Sequence, residues 1–99
     1  MSTYVVLANF TQQGAQTIKE GPARLDAAKQ ALQALGGELK GWYLTLGRYD
    51  VVYIFEAPDD ATAATGLLAL AAQGNVRTET LRAFNEDEYR QIVAALPQG

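Results

Sequence analysis

The sequence contains neither cysteine nor histidine. Without thiols there is no disulfide framework. Without thiols and imidazoles there is no Cys/His zinc site, no His haem ligand, and no Ser-His-Asp or Cys-His nucleophile. Any acid–base chemistry falls to carboxylates, Lys, Tyr or water. Positive charge is scarce: 8 Lys and Arg stand against 11 Asp and Glu, a formal charge of −3. Sequence-independent nucleic-acid binding needs a cationic surface, so no nucleic-acid partner is expected. No apolar run approaches the ~20 residues of a spanning helix. The opening MSTYVVLANF lacks the basic segment that precedes the apolar region of a signal peptide. A cytoplasmic protein with no membrane partner is expected. The acidic pair Asp59-Asp60 reads as a helix cap, because a hard cation needs more converging oxygens than this run supplies. No metal and no cofactor are expected.

What is present fits one domain over residues 1–99, with 48% hydrophobic residues and a modest core. The organising stretch is 45–58, TLGRYDVVYIFEAP. A polar turn, Gly47-Arg48-Tyr49-Asp50, feeds the apolar run Val51-Val52-Tyr53-Ile54-Phe55, which suits a central strand buried on both faces.

The remaining elements follow from periodicity and punctuation. Residues 3–10 read as a first strand, with Tyr4, Val6, Ala8 and Phe10 on one face and Val5, Leu7 and Asn9 on the other. The polar stretch 11–20 is a connection with room for a helical turn. Gly21-Pro22 opens a helix whose stripe is Leu25, Ala28, Leu32 and Leu35, and Gly36-Gly37 ends it. Residues 38–46 form a second strand. Strict alternation puts Lys40, Trp42, Leu44 and Leu46 on one face and Leu39, Gly41, Tyr43 and Thr45 on the other. The short turn after it makes a hairpin with the third strand. A helix from Pro58-Asp59-Asp60 carries Ala64, Leu67, Leu68 and Ala71 as its apolar face, with Gly66 explained by a close approach to the sheet. Gly74-Asn75 stops it. Residues 76–84 form a more polar fourth strand. A last helix starts at Asn85, with Glu88 as capping-box partner and an apolar face of Tyr89, Ile92, Val93 and Leu96.

The order β-α-β-β-α-β-α predicts an α+β, ferredoxin-like antiparallel sheet with helices on one face and an extra C-terminal helix. Strands one and three are apolar on both faces, yet two helices cover only one. The other face must pack on something, and a second copy is the simplest cover. A homo-oligomer, dimer or higher, is therefore expected.

Several runs resemble the GYD-domain family of small bacterial and archaeal proteins. They are Asn9-x-Thr11-x-x-Gly14, Pro22 to Asp26, Gly36-Gly37, YLTLGRYD at 43–50, EAPDD at 56–60 and GNVRTETLRAF at 74–84. The resemblance implies a ferredoxin-like subunit of the dimeric α/β-barrel type and no established activity. A second resemblance, to the RAM ligand-sensing domain, rests on Gly47, Tyr49 and Asp50 and on Gly74, Val76, Thr78 and Thr80. It implies a turn at a subunit interface that helps hold a small effector.

Arg48, Tyr49, Asp50, Arg77 and Glu79 are the candidate ligand-binding residues. Asp50 holds a ligand ammonium or partner Arg, or else satisfies backbone N–H groups in its turn. Tyr49 stacks on a ligand, or only caps the core. Arg77 and Glu79 share a face and bind a small acid, or form a salt-bridged edge. Glu56 pairs with an Arg or has a raised pKa. The expected function is binding of a small polar metabolite at a subunit interface, as a sensor or accessory protein. One alternative is a small cofactor-independent oxygenase or isomerase with a pocket of Asn9, Trp42 and Tyr43. The other is an oligomeric scaffold without ligand.

Overall fold

The apolar run after the turn becomes the inner strand from which the rest of the sheet is built. In the computed structural model, which describes residues 1–98, this strand is β3 (Val51–Ala57). It is flanked by β1 (Ser2–Phe10) and β2 (Glu38–Leu44), and β4 (Val76–Ala83) lies outside β1. The order is β2-β3-β1-β4 and every pairing is antiparallel. Four helical segments complete the chain: α1 (Gln12–Gln16), α2 (Gly21–Ala34), α3 (Asp60–Ala72) and α4 (Glu86–Ala94). A 3-10 turn, Ile18–Glu20, joins α1 to α2. The expected ferredoxin-like topology is what the chain adopts.

The core lies between the sheet and α2 and α3. Tyr4, Val6 and Ala8 of β1 and Val51, Phe55 and Ala57 of β3 are buried on that face, with Ala63 of α3 against them. Tyr4 opposes Phe55 in register, and their rings stack at 5.0 Å. Such a pair adds about 0.5–1.5 kcal/mol beyond the area it buries. Only Val6 among the larger side chains is completely buried, so the core is thin.

Punctuation residues stop the helices where the sequence places them. Gly36 and Gly74 have φ of +84° and +79°, the left-handed conformation that glycine tolerates. Asp59 caps α3 by accepting from Thr62 N–H at 2.8 Å. Asn85 and Glu88 form the reciprocal capping box at the start of α4.

Three expectations are corrected. A β-bulge between Leu39 and Gly41 breaks the alternation of β2. Leu39 pairs with Phe55 and Trp42 with Tyr53, so both point to the helix side, and Tyr43 points away. The apolar face of α3 is Ala63, Leu67 and Leu70, and Leu68 is 70% exposed. That helix is apolar nearly all round, so periodicity carries little phase information. Gly66 is not a close approach to the sheet either: a Cβ there would meet Leu35, just past the end of α2, at an ordinary 3.6 Å.

α4 stands apart. It makes no substantial contact with any other described element. The chain extends 56 Å along its longest axis, with a radius of gyration of 15.4 Å. A folded chain of this length has about 13 Å.

Phe55→Ala removes the stacked partner of Tyr4 from the thin core, and the expected loss is about 3–5 kcal/mol of unfolding free energy, read from urea midpoints. A loss near zero would place the core elsewhere. Burial pushes the Tyr53 phenol from its usual 10.0 to about 12, and burial together with Asp60 raises Tyr4 as well. A folded pKa above the unfolded one gives stability that is complete below about pH 10 and lost as pH rises through the folded value. Tyr53→Phe is expected to blunt that alkaline loss, measured as the change in urea midpoint between about pH 9 and about pH 11.

Candidate functional site

The turn between β2 and β3 is pinned to β1 by backbone groups. Thr45 N–H donates to Asp50 C=O at 2.8 Å, and the Thr45 hydroxyl donates to Tyr49 C=O at 2.6 Å. Gly47, with φ of +114°, makes the bend. Asp50 N–H donates to Ala8 C=O at 2.9 Å, and Phe10 N–H donates to Asp50 Oδ2 at 2.9 Å. The Asp50 carboxylate thus extends the β1–β3 pairing by one more bond. Of the two roles open to it in the sequence, the observed contact is the backbone one.

Pinning the turn aims Tyr49 across the sheet face that carries no helix. Its hydroxyl donates to Glu79 Oε2 at 2.8 Å, tying the turn to β4. The Arg48 guanidinium lies 5.6 Å from the Tyr49 ring centroid, a cation–π distance. On the same face Asn9 is in register with Arg77, and Leu7 with Glu79. Together these residues border a shallow groove of about 270 Å³, lined by Leu7, Asn9, Tyr49, Arg77, Thr78 and Glu79. Arg77 has no ion pair among the described residues, so its planar fork is available to a carboxylate or phosphate. Glu79 is not paired with Arg77 but with the Tyr49 hydroxyl.

Three of the five candidate ligand residues therefore line one groove, Tyr49, Arg77 and Glu79, and Arg48 lies 5.6 Å from the Tyr49 ring. Asp50 supports them from behind. The oxygenase-type trio is not assembled. Asn9 belongs to this groove, Trp42 sits on the helix side because of the bulge, and Tyr43 is 61% exposed on the bare face. Residue types alone group Asn9 with the wrong neighbours. Its register opposite Arg77 is set by the β1–β4 pairing, which side-chain types do not reveal. Glu56 meets Lys40, at 3.8 Å, and not an Arg.

The runs that carry the resemblance have structural duties. Thr11 caps α1 by accepting from Gly14 N–H at 3.1 Å, and its hydroxyl donates to Gly74 C=O at 2.6 Å. Thr11 N–H donates to Asn75 C=O at 3.0 Å. A Cβ on Gly14 would lie 2.0 Å from that same carbonyl oxygen. The Asn9-x-Thr11-x-x-Gly14 run and Gly74-Asn75 are thus two halves of one clasp, closing the end of the sheet nearest the groove.

The GYD-domain family model matches residues 4–93. The chain belongs to the GYD-domain family. A relative from Thermus thermophilus is 40% identical over 85 residues, which is 85% of this chain and 90% of that protein. It is named glutamine synthetase and cystathionine beta-lyase binding protein. The crystal structure of TTHA0845, also from Thermus thermophilus, is similar at a TM-score of 0.53 and 26% identity, covering 86% of this chain and 95% of that one. No helix among the described residues is long and apolar enough to cross a membrane.

Asp50→Ala leaves the Phe10 N–H without its acceptor, and the expected cost is about 1–3 kcal/mol by urea unfolding. Asp50→Asn keeps an acceptor and is expected to lose less. Equal losses for both would show that the hydrogen bond is not what Asp50 contributes.

Proposed function

We propose that this GYD-domain chain is a small accessory protein. It self-associates through its bare sheet face and holds a small polar metabolite in the groove of Tyr49, Arg77 and Glu79. The observation that carries the reading is the coincidence of the two features. The polar groove is cut into a sheet face that otherwise presents Val5, Val52, Ile54 and Leu81. A second copy laid on that face would roof the groove, converting a shallow trough into an enclosed site. Arg77 offers a carboxylate fork, and Glu79, held in place by Tyr49, offers a cation acceptor. A small molecule bearing both a carboxylate and an ammonium group suits the pair.

The Thermus relative is named for binding two metabolic enzymes. By similarity, the accessory role is assigned here to a metabolic enzyme as protein partner, with the groove reporting metabolite supply to it.

The test is a thermal-shift series with amino acids and small carboxylic acids. A ligand at a hundredfold excess over its dissociation constant adds about 2.7 kcal/mol to unfolding, and the midpoint is expected to rise for a zwitterion. Arg77→Ala is expected to remove the rise without lowering the ligand-free midpoint, since its side chain is exposed and has no ion pair among the described residues. Glu79→Ala is expected to remove the rise too, with a loss of about 0.5–1.5 kcal/mol for the Tyr49 hydrogen bond. A rise that survives both substitutions, or no rise with any zwitterion, would refute the groove.

A further inference from the structure

Two apolar surfaces of this chain remain unmet on the helix side and at the C-terminus. The first is a groove of about 490 Å³ between α2, α3 and the sheet. Leu25 and Leu32 wall it on one side and Leu67 on the other, with Tyr53, Phe55 and Trp42 as its floor. No residue of α2 is fully buried. The second is the stripe on α4 and just past its end, where Tyr89, Ile92 and Val93 are 62%, 47% and 45% exposed and Leu96, beyond the helix, is 62% exposed. An amphipathic helix of this kind gains its stability from a surface that covers its apolar face. Its own body does not provide one.

We infer that α4 of a second copy occupies the α2–α3 groove. Charge fits the match. The first turn of α4 carries Glu86, Asp87 and Glu88, of which Glu86 pairs with Arg90 at 2.7 Å and Glu88 with the Asn85 N–H, while the α2 wall of the groove carries Lys29 and Arg24, the latter 3.8 Å from Glu20. Arg24 is held by the Thr17 hydroxyl at 2.8 Å and the Gly14 carbonyl at 3.3 Å, which fixes one cation beside the groove. Topology delivers the helix. β2 and β4 are the two edges of the sheet. α4 leaves the β4 edge, and the groove opens at the β2 edge, where Trp42 and Leu44 are 37% and 65% exposed. When two copies face each other about an axis running along their strands, the β4 edge of one lies over the β2 edge of the other. Each arm then reaches the groove of its partner in the helix-in-groove manner. This rests on the self-association proposed above and adds the element that locks it.

The sole tryptophan, Trp42, reports on the groove. The experiment measures its emission maximum and the solution mass of the full chain across a dilution series. The same is done for the double variant Ile92→Gln and Val93→Gln, which keeps the helix length and charge. The expected result is blue-shifted Trp42 emission in the associated full chain. The double variant should emit further to the red at equal concentration and dissociate at least tenfold more readily. A full chain that is monomeric at every concentration would remove the self-association itself. A double variant that associates as tightly, with unchanged emission, would leave self-association standing and overturn the arm exchange. So would emission in the associated full chain that shifts only when the apolar dye 8-anilinonaphthalene-1-sulfonate is added, because the groove would then be empty and open to small apolar molecules. Lys29→Glu supplies a check that leaves the arm untouched: it should weaken association, and an unchanged dissociation constant would contradict the charge match.

Discussion

Two helices cover one face of a four-stranded sheet, and the two inner strands of this sheet are apolar on both. Much else in the molecule answers to that mismatch. On the covered side the alternating residues Tyr4, Val6 and Ala8 meet Phe55, Tyr53 and Val51 in register, and α2 and α3 lie over them. On the other side Val5, Leu7, Val52 and Ile54 are half-buried only by their neighbours. At roughly 25 cal/mol per Å² of apolar surface removed from water, covering such a face is a free-energy gain still open to the folded chain. The polar groove of Tyr49, Arg77 and Glu79 interrupts this face near one corner, where a cover would enclose it.

The turn that precedes β3 links fold and groove. Asp50 accepts from Phe10 N–H, Thr45 holds Tyr49, and the Tyr49 hydroxyl reaches Glu79. One end of the sheet is thereby tied across β3, β1 and β4 by side chains that lie close together in the sequence. Beside it, Thr11, Gly14, Gly74 and Asn75 close a second clasp. Three of the runs that carry the GYD-domain resemblance, Asn9-x-Thr11-x-x-Gly14, 43–50 and 74–84, thus fasten this corner.

Much of the fold is legible in the sequence because punctuation and periodicity agree. Gly36, Asp59, Gly74 and Asn85 stop or start helices in the sequence and in the structure alike. The hairpin turn places β2 beside β3, and β1 carries a clear two-residue period. What sequence could not show are features set by pairing. The bulge at Lys40 adds one residue to β2 and turns Trp42 to the side opposite from strict alternation. A helix as uniformly apolar as α3 gives no phase, so periodicity puts Leu68 on the wrong side. Arg77 and Glu79 are correctly read as sharing a face, but the partner of Glu79 is a tyrosine thirty residues earlier in the chain. How little α4 touches the body is invisible too, since an amphipathic stripe does not say whose surface covers it.

The most direct measurement is sedimentation equilibrium of the full chain beside a variant with a charge on the bare face, Ile54→Lys. Ile54 lies on β3 opposite Val5, away from α4 and outside the groove lining. The full chain is expected at the mass of two or more copies, and the variant at the mass of one with its fold retained by circular dichroism. A full chain at the mass of one copy over the whole concentration range would contradict the claim that the bare sheet face is an interface. So would a variant that remains associated like the parent.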